Sequence, residues 1–315
     1  MSIIFEQATK YYGKAIGIKA LDLVVKQGDF FGFVGPNGAG KTTAIKLMMN
    51  LLQPSSGSVY IDDVDTSRHF DKIKASVGFM PSDASLYGDL TVEALLRFNR
   101  NLYKTDAIAR LKGVNHPKVF EEMMIKREND LIDWLNIDTK KKFKALSLGN
   151  KKKIAFVLAV AHYPNVIILD EPTSGLDPLI QEVLMSTLRM LHKEGNTIFL
   201  SSHTLSEVEN NCRTVGLIKS GQMLEVNTIE ALKANSLKEI TLTVAKRQFE
   251  SIKKWAIDNE AVLYDQIKEY ESTLKVVYHT KASVTQILKS LGELTLVDVS
   301  IDSPSLETLF MHYYL

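Results

Sequence analysis

Residues 30–52 leave this chain few folds to choose from. Phe30, Phe31, Gly32, Phe33 and Val34 form a near-continuous apolar run, the pattern of a strand buried on both faces of a parallel sheet. Gly35-Pro36-Asn37-Gly38-Ala39-Gly40-Lys41-Thr42-Thr43 follows at once. Ala44, Ile45, Leu47, Met48, Leu51 and Leu52 then recur at helical spacing, until Gln53-Pro54-Ser55-Ser56-Gly57 stops the helix. A buried strand that turns through glycines into a helix predicts an α/β architecture.

The turn itself carries chemistry. It fits G-x-x-x-x-G-K-[ST], the phosphate-binding loop (P-loop) of nucleoside-triphosphate enzymes. Gly35, Gly38 and Gly40 allow successive N–H groups to point inward as an anion-binding concavity. A helix starting near Lys41 adds the positive end of its dipole. Lys41 is expected to reach the β- and γ-phosphates and Thr42 to ligate Mg²⁺. All nine positions, Gly35, Pro36, Asn37, Gly38, Ala39, Gly40, Lys41, Thr42 and Thr43, are therefore expected to bind ATP or GTP.

A second segment, Val166-Ile167-Ile168-Leu169-Asp170-Glu171-Pro172, reads as a buried parallel strand delivering two acids at its C-terminal end. Asp170 is expected to hold Mg²⁺, directly or through water, and Glu171 to polarise an attacking water as general base.

With 315 residues, 45% of them hydrophobic, the chain can bury the core of one large domain plus a small one. A net charge of +1 argues against a general nucleic-acid binder. The single cysteine, Cys212, excludes an internal disulfide and suits a reducing cytoplasm. There is no basic, apolar N-terminal signal, and no apolar run nears the roughly 20 residues that span a bilayer. Any membrane role is expected to come through a partner.

Together these segments resemble the nucleotide-binding subunit of an ABC transporter, over about residues 2–225. Further motifs strengthen the likeness in the right order. Leu146-Ser147-Leu148-Gly149-Asn150 is similar to the family's signature segment. Ser174-Gly175-Leu176-Asp177 fills its Asp-containing loop, and Ser201-Ser202-His203 supplies its switch histidine after a strand. Tyr12 matches the aromatic that stacks on adenine.

The resemblance implies a P-loop NTPase core with a helical subdomain at about 84–163. It also implies a sandwich of two nucleotide-binding domains, in which Ser147 and Gly149 face the γ-phosphate held by the other domain. Ser147 is a fitting N-cap for the helix that would point its N–H groups at that anion. His203 would contact the γ-phosphate and the attacking water. The implied cofactors are ATP and Mg²⁺. The implied partners are an integral-membrane permease and a second nucleotide-binding domain, identical or different, with no nucleic acid. The expected place is the cytoplasmic side of the membrane, and the expected function is to power transport, in the export direction.

Departures from the pattern are specific. Ser82, after Met80-Pro81, stands where an amide or acid usually couples the site to the permease, with Asp83 as a possible substitute. Leu148 replaces a small residue and Asn150 a glutamine. Helices are expected from Thr91 and over Glu121–Leu135, with an insertion around 104–118 that either tunes partner choice or is a surface loop. Lys140, Lys141, Lys142, Lys144, Lys151, Lys152 and Lys153 are expected to form a solvated face rather than a site for anions.

Residues 226–315 read as a small α+β domain, ferredoxin-like in pattern. Strands are expected at 240–245, 274–279 and 294–301, helices at 248–257 and 284–291, and a last helix opened by Ser303-Pro304-Ser305. That ending is similar to the tail of ATPase subunits from bacterial exporters with separate permeases. Two alternatives stay open: a soluble ABC ATPase acting on ribosomes or DNA, and a regulatory subunit with a degenerate ATP site.

Overall fold

The computed structural model describes residues 2–234, 237–263, 267–292, 294–303 and 305–314. The chain divides into two compact units, Met1–Asn227 and Thr228–Leu315.

The first unit opens with β1 (Ile3–Tyr12), β2 (Ala15–Val25), β3 (Phe30–Val34), α1 (Lys41–Met48), β4 (Ser56–Ile61), β5 (Val64–Asp65), α2 (Thr66–Ile73) and β6 (Val77–Met80). Four helices follow: α3 (Val92–Tyr103), α4 (Asp106–Leu111), α5 (Pro117–Trp134) and α6 (Leu148–Val160). The unit closes with β7 (Val166–Asp170), α7 (Pro178–Lys193), β8 (Thr197–Ser202), α8 (Leu205–Asn211), β9 (Thr214–Lys219) and β10 (Gln222–Thr228). One sheet is antiparallel in the order β2-β1-β4-β5, and the other runs β10-β9-β3-β8-β7-β6. From β9 to β6 the pairings in this second sheet are parallel.

The parallel strands are buried on both faces because their central residues are apolar, with polar side chains such as Asp170, Thr197, Ser201 and Ser202 at the strand ends. In β3, successive side chains point to opposite sides. Phe31 and Phe33 pack with Phe199, Ile3, Phe5 and Ile45 in one core. Phe30 packs with Phe156, Leu184 and Leu188 in the other.

The stretch at 104–118 is not a loose surface loop. It contains α4, whose first turn is capped by Thr105, and Ala109 joins Phe120 and Met124 in a small core of its own. Lys112 Nζ donates to Asn165 Oδ1 at 3.0 Å. The lysine run also departs from expectation. Lys140, Lys141, Lys142 and Lys144 are exposed, but Lys152 and Lys153 are buried. Both stems run into the unit, and each ammonium bonds to backbone carbonyls, Lys153 to Leu135 O at 2.9 Å. The helix expected over Glu121–Leu135 starts earlier, at Pro117, because proline suits a first helical turn.

The second unit contains α9 (Ile229–Ala234), β11 (Lys238–Ala245), α10 (Phe249–Asp258), β12 (Val262–Leu263), β13 (Lys268–Glu269), β14 (Thr273–Thr280), α11 (Val284–Leu291), β15 (Asp298–Asp302) and α12 (Leu306–Tyr314). Its sheet is antiparallel in the order β12-β14-β11-β15, with β13 beside β14. Two βαβ halves interleaved in this way give the ferredoxin-like pattern. Ile240, Leu242 and Val244 pair with Tyr278, Val276 and Leu274, and Glu239 pairs with Asp302 on the other side. These apolar side chains pack with Ile252 and Trp255 of α10 and Ile287 and Leu291 of α11.

The last strand begins at Asp298 rather than 294, since Leu294 and Leu296 pack against the core and pairing begins only as Val297 N–H reaches Thr243 O. Ser305 Oγ accepts from Thr308 N–H at the start of α12, whereas Pro304 lies outside the described residues.

Candidate functional site

Every strand of a parallel sheet ends on the same side, so the order β3-β8-β7 sets three chain turns next to one another. After β3 comes the glycine loop, after β7 the pair Asp170 and Glu171, and after β8 His203.

The loop is shaped by steric limits. Gly40 caps α1 in the left-handed region at φ 110°, and a Cβ there would lie 2.5 Å from Gly17 O. A Cβ on Gly35 would lie 2.3 Å from Ile218 O. Lys41 is 5% exposed, and its Nζ donates to Gly35 O at 2.7 Å and Pro36 O at 3.2 Å. The same ammonium lies 3.3 Å from Glu171 Oε1. Thr42 Oγ1 donates to Asp170 Oδ2 at 3.0 Å. These two groups are hard oxygen donors, the type Mg²⁺ prefers, and the described residues hold no cluster of three or more His, Cys, Asp or Glu arranged for a metal. A cation here therefore needs ligands from phosphate or water as well.

Glu171 sits in the left-handed region at φ 47°, a position held from β8. Its N–H reaches Ser201 O at 3.2 Å and Ser201 Oγ at 3.1 Å, while that hydroxyl donates to Asp170 Oδ1 at 2.6 Å. Ser201 is fully buried and touches both acids, so it orients the pair. His203 Nδ1 lies 3.1 Å from Glu171 Oε2. One carboxylate thus faces the loop lysine on one oxygen and the histidine on the other.

A cavity of about 260 Å³ is lined by Tyr12, Ile16, Gly17, Asn37, Gly38, Ala39, Gly40, Lys41, Thr42, Thr43 and Glu171. The Tyr12 hydroxyl lies 3.4 Å from Thr43 Oγ1, and its ring is 47% exposed beside Gly17, where a Cβ would meet Tyr12 Cε2 at 2.8 Å. His203 lines the neighbouring cleft of about 420 Å³ with Ser174 and Gly175. Ser147 and Gly149 line neither cavity. Ser147 Oγ caps α6 by accepting from Asn150 N–H at 3.4 Å, and Gly149 lies against Leu176. Ser82 and Asp83 do not line the cavity either, and Asp83 Oδ2 accepts from Ser85 Oγ at 3.0 Å.

Three residues escaped sequence reasoning: Gly17, Ser201 and Lys152. A glycine inside an otherwise alternating strand signals close backbone approach and could have exposed Gly17. Burial pulls the Lys152 ammonium below the usual lysine range, against the attraction of Glu171, Asp170 and Glu207. No local pattern separates Lys152 from the exposed lysines earlier in the same run, such as Lys142 and Lys144.

Residues 18–174 match the protein family described as ABC transporter. The bacitracin transport ATP-binding protein BcrA of Bacillus licheniformis is 36% identical over 73% of this chain and 71% of its own length. The chain belongs to the ABC transporter ATP-binding proteins. As a member it is an ATPase whose hydrolysis is coupled to transport.

The linearmycin resistance ATP-binding protein LnrL of Bacillus subtilis is 27% identical over 98% of this ABC ATPase and 96% of its own length, so the likeness runs through both units. Among solved structures, the dimeric structure of MJ0796, a bacterial ABC transporter cassette, superposes with a TM-score of 0.60 at 23% identity. It covers 72% of this chain and 98% of its own, a likeness of fold. Among the described residues of this ATPase, no helix is long and apolar enough to cross a membrane.

Proposed function

We propose that two nucleotide-binding domains, at least one of them this chain's residues 1–225, close around ATP and drive a separate membrane permease that exports its substrate. The observation that carries the reading is the Glu171 carboxylate, 3.3 Å from Lys41 Nζ and 3.1 Å from His203 Nδ1 at the mouth of the glycine loop. Lys41 and the loop N–H groups bind the β- and γ-phosphates, and the Tyr12 ring stacks on adenine. Thr42 and Asp170 hold Mg²⁺, which when bound neutralises phosphate charge. Glu171 accepts the proton of the attacking water, and His203 steadies the same carboxylate and the terminal phosphate. Ser147 and Gly149, away from this cavity, serve the nucleotide of the partner domain.

The dimeric form of the solved MJ0796 cassette supports the paired arrangement, and the resistance and bacitracin-transport names of the relatives support export. The permease holds the chain at the cytoplasmic face of the membrane, and the C-terminal residues 226–315 form an appended domain. Glu171→Gln is expected to lower ATP hydrolysis by at least about 100-fold while ATP still binds. Hydrolysis at the unaltered rate would falsify the assignment of the base.

A further inference from the structure

In the proposed sandwich, the start of α6 and the end of β7 serve different nucleotides. Ser147 and Gly149 face the partner's ATP, whereas Glu171 acts on the chain's own. Within the chain these two places are tied by one side chain. Lys152 lies one turn into α6, is 3% exposed, and donates from Nζ to Glu171 O at 2.9 Å and to Ser174 O at 2.6 Å.

Packing reinforces the tie. A Cβ on Gly175 would lie 3.4 Å from Leu148 Cδ2, and one on Gly149 would lie 3.4 Å from Leu176 Cδ2. The bulky Leu148 therefore rests on the loop that follows Glu171. From the other side, Gln181 Nε2 donates to Thr173 O at 3.3 Å and Leu176 O at 3.0 Å. A buried ammonium is costly unless its hydrogen bonds are met, and Lys152 meets them on backbone carbonyls of the catalytic segment.

We propose that Lys152 is a positioning residue that transmits engagement of Ser147 and Gly149 at one nucleotide to Glu171 at the other. The inference rests on the two-domain reading above. When the start of α6 shifts against a γ-phosphate, Nζ moves with it and carries the Glu171 and Ser174 carbonyls. The general base of one site then responds to occupancy of the other.

The test uses the full-length chain and ATP. Lys152→Met keeps a side chain of similar length without its donors, and Lys152→Arg restores donors. Lys152→Met is expected to lower kcat about tenfold with the Kd for ATP changed less than about twofold, and to bring the Hill coefficient for ATP from above one down to about one. Lys152→Arg is expected to recover most of kcat and the cooperativity. Unchanged kcat and Hill coefficient in Lys152→Met overturn the proposal, as does a Hill coefficient of one in the unaltered chain. Failure of arginine to restore either quantity also overturns it, since the lysine would then only fill space. If Lys152→Met does not fold, Lys152→Leu carries the same test, since it too removes the donors. Glu171→Gln run in parallel keeps the two readings apart. Full hydrolysis there sinks the catalytic assignment, whereas a dead Glu171→Gln beside an unaffected Lys152→Met sinks only the transmission.

Discussion

The two units of the chain use sheets of opposite design. In Met1–Asn227 the strands β9, β3, β8, β7 and β6 run parallel, so each delivers the residues after it to one edge. The glycine loop, the acids and His203 meet there. In Thr228–Leu315 the pairings among the described residues are antiparallel, and strands that neighbour each other in the sheet end on opposite sides. That sheet hides one face under α10 and α11, and among the described residues it gathers no comparable set of reactive groups at either end. Parallel order brings reactive groups to one edge, whereas the described antiparallel sheet packs its apolar face into a core.

The strongest challenge to this contrast is a core substitution in the second unit. Leu242 is fully buried, so Leu242→Ala is expected to destabilise that unit by about 2–5 kcal/mol, followed by denaturant unfolding through Trp255 fluorescence in a Trp134→Phe background. ATP hydrolysis by the full-length chain should stay near its unaltered value. A parallel loss of hydrolysis would break the division of labour.

A smaller effect belongs at the active edge. Tyr12→Ala should weaken ATP binding by about 1–3 kcal/mol, read as a Kd from titration, while Tyr12→Trp retains it. Equal affinity in the alanine variant would remove Tyr12 from the adenine site.

A further test concerns the stability of the first unit. Glu128 is buried beside Arg100, its Oε1 has no hydrogen-bond partner, and burial pushes its carboxyl up from the ordinary 4.5 to about 7, with Arg100 opposing. The folded chain holds this proton where the unfolded chain has lost it. The contribution to stability is thus complete below about pH 4.5 and is lost as pH rises through about 7. Glu128→Gln should flatten the pH dependence of the unfolding midpoint across that window. An identical profile in the variant would show that Glu128 does not titrate there.

How much was legible follows the same contrast. Functional turns in the first unit are contiguous in sequence, because one loop or one strand end supplies each piece. Gly35–Thr43 and Asp170-Glu171 could therefore be read directly. What was hidden is held by distant contacts: Ser201 touches Asp170 and Glu171 across β8 and β7, and Lys152 reaches Glu171 from a helix. Lys152 and Lys151 look alike in sequence, yet helical rotation turns the first inward and leaves the second partly exposed. In the second unit the alternation of Ile240, Leu242 and Val244 revealed a strand. Leu294 and Leu296 show the same alternation, but they fill core space beyond α11 rather than join the sheet.

The pairing of Glu239 with Asp302 has an evolutionary consequence. The first and last strands of the ferredoxin-like unit are neighbours, and they run in opposite directions. The polypeptide therefore enters and leaves this sheet at nearly the same point. A module with adjoining ends can be gained, lost or transplanted as one genetic segment without cutting any strand within it. Recombination could thus reshape the tail of such a protein while the ATP-handling body evolves at its own pace.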